Sequence, residues 1–91
     1  MPRPLKELKI PKNRKLTPEL AFAIVVREKR IALGLDQVEL EDEGMDRSYV
    51  SKIELAERQV ALRGILILAR KLGMEPDELV REVVRKLEGK G

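Results

Sequence analysis

The chain has no cysteine, no histidine and no tryptophan, and its aromatic residues are one tyrosine and one phenylalanine. Without cysteine there is no disulfide, no thiolate nucleophile and no thiolate metal site. Without histidine there is no imidazole base and no His-based metal centre. No Gly-rich loop of the kind that cradles phosphate occurs. Glu39, Glu41, Asp42 and Glu43 lack the loop spacing of a cation site and read as a solvated acidic face. An enzyme is therefore not expected, and neither a metal nor another cofactor is called for. The longest apolar run, Leu20 to Val26, is seven residues. A membrane span needs about 18. The N-terminus is basic but has no signal-peptide apolar core. The expectation is a cytoplasmic protein that does not contact membranes.

What is present is charge, unevenly placed. The 91 residues carry a net charge of +3, enough chain for one small domain. Such a domain buries only roughly 60–65% of its unfolded surface. With no disulfide available, oligomerisation is the remaining route to added stability. Residues 1–16 hold Arg3, Lys6, Lys9, Lys12, Arg14 and Lys15 against Glu7 alone. Residues 36–46 hold Asp36, Glu39, Glu41, Asp42, Glu43 and Asp46 with no basic residue. This polarity suggests that one face meets a polyanion and another does not.

Residues 1–16 form a basic N-terminal arm, because Pro2, Pro4 and Pro11 interrupt helix and Leu5, Leu8 and Ile10 are too few for a core. A loosely docked tail, an arm tracking along DNA and a strand exchanged with a partner all fit. The domain proper is 17–91. Thr17-Pro18-Glu19 starts a helix that runs to Leu33 and stops at Gly34. Asp36 caps a second helix over about 37–43, ended by Gly44. Asp46 caps a third over about 47–55. A fourth spans about 62–72, with Leu62, Ile65, Leu66, Leu68, Ala69 and Leu72 at helical spacing. Pro76-Asp77-Glu78 opens a fifth over about 76–88. Five short helices with short connections predict an all-α bundle.

Three blocks carry a resemblance: Arg30-Ile31-Ala32-Leu33-Gly34-Leu35-Asp36-Gln37, Asp46 to Glu54, and Leu68-Ala69-Arg70-Lys71-Leu72-Gly73-Met74-Glu75-Pro76-Asp77-Glu78-Leu79. In that order they resemble the Cro/repressor-type (Xre-like) helix-turn-helix family over about residues 22–80. The resemblance implies a five-helix lambda-repressor-like domain whose third helix reads DNA. It implies base-reading positions at Arg47, Ser48 and Lys52. It implies phosphate contacts from Gln37, which also braces the third helix, and from Tyr49 and Arg58. It implies an ion pair between Arg30 and Glu54, expected to be partly buried. Helical geometry agrees in part: Ser48 and Lys52 share a face that Arg47 borders, and Val50 and Ile53 point the other way.

The chain departs from the family pattern in three places. Gln37 to Tyr49 is one residue shorter than usual, so the second helix or its turn is compressed, and a register with Val38 and Leu40 inward is expected. The usual glycine after the third helix is Ala56, so a re-formed turn or a lengthened helix is expected there. The second helix is acidic, and carboxylates near phosphate repel it.

The expected function is a sequence-specific transcriptional regulator, a repressor or controller protein, binding double-stranded DNA as a homodimer on a pseudo-palindromic site. Lys12, Arg14 and Lys15 of the arm would add phosphate contacts. Leu79, Val80, Val83, Val84 and Leu87 make an apolar stripe expected to form the dimer interface. Helix 1 adds Ile24 and Val25, which a domain this small would not obviously cover. The alternative is a protein-interaction module on the same fold, such as an antitoxin or accessory subunit, whose acidic second helix docks a basic protein partner.

Overall fold

A computed structural model describes residues 16–89. The basic arm up to Lys15, with Lys12 and Arg14, lies outside the described residues. Four α-helices and one short 3-10 turn follow in order, with no strands among the described residues: α1 (Pro18–Ala32), the turn Gln37–Leu40, α2 (Arg47–Glu54), α3 (Leu62–Lys71) and α4 (Pro76–Leu87). The local start signals operate as expected. Thr17 Oγ1 accepts a hydrogen bond from Leu20 N at 3.1 Å, and Asp46 Oδ1 accepts one from Tyr49 N at 2.9 Å. Glu75 N donates to Glu78 Oε1 at 2.9 Å at the head of α4. Gly34 and Gly73 end α1 and α3 with φ of +71° and +70°.

The second of the five expected helices is not an α-helix. It stops after the single 3-10 turn, Glu41 is extended, and Asp42 and Met45 pair as a two-residue hairpin. Asp42 N donates to Met45 O at 3.0 Å and Met45 N to Asp42 O at 2.8 Å. Gly44, at φ +77°, turns this hairpin rather than ending a helix. The physical reason is the shortened spacing. Leu40 and Met45 are 0% and 2% exposed, so both must reach the core. On a continuous helix, residues five apart point about 140° from each other and could not both do so. A hairpin returns Met45 inward. Val38 does not share that fate: it is 52% exposed, contrary to the inward register expected for it.

The core lies where α1 meets α4 and α2. Ala21, Phe22, Val25 and Val26 of α1 pack with Val50 and Ile53 of α2, Leu68 and Ala69 of α3, and Leu79 and Val83 of α4. The α4 residues correct one expectation. Leu79 and Val83 belong to the core of the single chain, and only Val80, Val84 and Leu87 of the expected stripe stay exposed. Residues four apart lie on one helix face, and packing against α1 turns that face inward. Val25 is likewise buried, and Ile24 is partly so. An ion pair between Lys86 Nζ and Glu28 Oε1 at 3.2 Å joins α4 to α1 as well.

After α2 the chain keeps the left-handed turn of a glycine-ended helix without the glycine. Ala56 has φ +59°, and Glu57 N and Ala56 N return to Lys52 O and Ile53 O at 2.9 and 3.0 Å. The turn is neither re-formed nor absorbed by a longer helix. A Cβ at this φ costs about 1–2 kcal/mol, against about 0.5–1 kcal/mol of extra chain entropy for glycine. Ala56→Gly should therefore stabilise the domain by roughly 0.5–1 kcal/mol and raise Tm by a few degrees. An unchanged or lower Tm in thermal unfolding would show that the strain lies elsewhere.

Candidate functional site

The outward face of α2 borders an open groove of about 430 Å³ lined by Asp46, Ser48, Tyr49, Lys52 and Arg58, with the Asp42–Met45 hairpin at one end. Asp46, Ser48, Lys52 and Arg58 are exposed. Their inward neighbours, Val50 and Ile53, are 1% and 2% exposed and anchor the helix. Arg47 is exposed at the head of α2 but does not line this groove. Thus Ser48 and Lys52 are brought together with Tyr49 and Arg58, while Arg47 stands to one side.

Behind α2, Glu54 accepts three hydrogen bonds from two side chains. Arg30 Nε and Nη2 reach its two oxygens at 2.7 and 3.0 Å, and Gln37 Nε2 reaches Oε1 at 3.2 Å. The remaining guanidinium arm, Nη1, donates to Leu35 O at 2.8 Å. Arg30 is 5% exposed and Glu54 1%, so the pair is fully rather than partly buried. A bidentate fork fixes orientation as well as distance. It locks the end of α2 to α1 and to the chain entering the 3-10 turn. Gln37 thereby braces α2 with one amide hydrogen and keeps the second for another acceptor.

Tyr49 packs partly into the core, and its hydroxyl accepts a hydrogen bond from Ala61 N at 3.4 Å. That oxygen serves the head of α3, whose Ala61 has no capping side chain. The ring lies against α3 at Gly64. A Cβ on Gly64 would lie 3.3 Å from the tyrosine oxygen and 2.8 Å from Val60 Cγ2, so glycine is what lets α3 come this close. Arg58 stacks over the ring, its Cζ 5.0 Å from the centroid. The close approach escaped sequence reasoning, although a glycine inside an otherwise apolar helix is a signal for one.

Part of the acidic stretch is engaged within the chain. Asp36 N donates to Glu39 Oε2 at 2.7 Å. Asp42 Oδ2 meets Arg70 Nη2 at 3.1 Å and Lys71 Nζ at 3.5 Å, tying the hairpin to the end of α3. The Glu43 N–H on its Oδ1 holds the Asp42 carboxyl below its usual range; desolvation opposes this, and the charges of Lys71 and Arg70 add to it. Nothing in the sequence pattern marked Arg70 and Lys71 as its partners, since they lie far along the chain.

No helix among the described residues is long and apolar enough to cross a membrane. No match to the chain is found among curated proteins or among solved structures. A family model described as helix-turn-helix matches residues 26–79, from the middle of α1 to the first turn of α4. More than half the chain, including α2 and the whole bracing network, is thus covered, and the chain belongs to the Cro/repressor-type (Xre-like) helix-turn-helix family, whose members bind DNA and are not enzymes.

Proposed function

We propose that the protein is a cytoplasmic, sequence-specific transcriptional regulator, a repressor or controller that binds a pseudo-palindromic operator as a homodimer. The observation that carries this reading is the exposed, cation-bearing face of α2 on a helix whose other side is clamped by the buried Arg30–Glu54 fork. A rigid helix with free side chains on one face is what major-groove reading requires. In this reading Lys52 and Ser48 contact base edges and Arg47 reaches bases from the head of the helix. Gln37, Tyr49 and Arg58 hold phosphates. Gln37 uses its second amide hydrogen and Tyr49 its hydroxyl hydrogen, each having spent only one side-chain hydrogen-bonding group among the described residues. Lys12, Arg14 and Lys15 of the arm add phosphate contacts. Val80, Val84 and Leu87 supply an apolar contact between two copies, which would set two α2 helices about 34 Å apart in successive major grooves. The alternative, a module that docks a basic protein through an acidic helix, is weakened because that helix is replaced by a hairpin and Asp42 already faces Arg70 and Lys71.

The test is binding to an operator selected from random duplex DNA. The binding constant should fall steeply with salt. Arg47→Ala or Lys52→Ala should cost about 1–3 kcal/mol and relax one base pair, whereas Arg58→Ala should weaken all sequences alike and lower the salt slope by about 1. Binding unchanged in both Arg47→Ala and Lys52→Ala would transfer the lead to the protein-docking alternative.

A further inference from the structure

We infer that Asp46 is a specificity-determining residue of the α2 groove, its carboxylate accepting a hydrogen bond from the exocyclic amino group of a cytosine. The inference rests on the DNA-regulator reading above. Asp46 caps α2, but the cap uses only one oxygen: Oδ1 receives Tyr49 N at 2.9 Å, and Oδ2 has no partner among the described residues. The side chain is exposed and lines the groove together with Ser48, Tyr49 and Lys52. Its position is set from both sides. Met45 before it is 2% exposed and backbone-paired with Asp42, and α2 begins immediately after it. Asp42, at the same end of the groove, is already occupied by Arg70 and Lys71.

A carboxylate oxygen in such a groove repels phosphate and can only accept hydrogen bonds. The donors exposed in the major groove are the amino groups of cytosine and adenine. Adenine presents its amino group beside the N7 acceptor, which opposes a carboxylate, whereas cytosine presents the donor alone. The free oxygen of Asp46 therefore selects cytosine. Capping and reading can be separated, because serine and asparagine cap helices about as well as aspartate.

Parent, Asp46→Ser and Asp46→Asn proteins would each be used to select sites from a random duplex pool. The parent should enrich cytosine at one position of each half-site. Asp46→Ser should flatten that position, losing roughly five- to 150-fold of discrimination. The preferences at the remaining positions should stay as in the parent, while affinity for all sequences rises alike, since a charge that repels phosphate is removed. Asp46→Asn should move the same position towards adenine, whose N6/N7 edge suits an amide. A parental melting temperature marks the cap as intact; should the serine variant unfold, the asparagine variant carries the comparison. If neither variant changes the preference at any cytosine, the assignment fails and the DNA reading stands. If the parent enriches no sequence at all, both fail.

Discussion

Glu54→Ala should remove about 3–5 kcal/mol of folding stability, because it leaves the Arg30 guanidinium buried without its counter-ion. Small domains are stable by only about 5–15 kcal/mol, so the variant should melt many degrees below the parent or fail to fold. The size of the effect follows from burial. At 5% and 1% exposure neither charge can be rescued by water, unlike a surface pair worth under about 1 kcal/mol. Glu54 also takes the amide of Gln37, so its loss releases the 3-10 turn from α2. The pair need not be a net source of stability. Replacing both members by apolar residues of similar volume, as in Arg30→Met with Glu54→Leu, should recover much of the loss. Urea unfolding of the single and double variants measures this directly. A single-variant cost below about 1 kcal/mol would mean that the fork is not buried in solution.

Leu79→Ala should cost about 2–5 kcal/mol, as expected for a fully buried leucine whose removal leaves a cavity between α4 and α1. Val84→Glu, five residues further along the same helix, should leave monomer stability within about 0.5 kcal/mol, since Val84 is 43% exposed. It should instead weaken self-association. The contrast separates the two halves of one apolar stripe: Leu79 and Val83 hold the chain together, while Val80, Val84 and Leu87 are available to a second copy. Sedimentation equilibrium of the parent and of Val84→Glu at micromolar concentration, with circular dichroism to verify helicity, checks both statements. A monomeric parent under those conditions would remove the dimer from the proposed function. A fully folded Leu79→Ala variant with unchanged stability would contradict the packing of α4 on α1.

The helix starts and stops were legible because their causes lie within a few residues of chain. Thr17 finds its donor three residues on, Asp46 does the same, and Gly34 and Gly73 relieve a steric cost at a single position. The face of α2 was legible too, since the helical period separates Ser48 and Lys52 from Val50 and Ile53 without reference to any other element. The Arg30–Glu54 pair came from family resemblance, and its depth of burial did not. Three matters were decided only by tertiary structure. Which side of α4 turns inward depends on α1, whose apolar face claims Leu79 and Val83 from a stripe that has no internal mark between core and surface. The second helix gives way to a hairpin because Leu40 and Met45 must enter the same core from opposite ends of a shortened segment. So short a helix has little cooperative stability of its own to resist that demand. Partners far apart in sequence, Asp42 with Arg70 and Tyr49 with Ala61, form contacts that depend on chain packing, which no local pattern encodes.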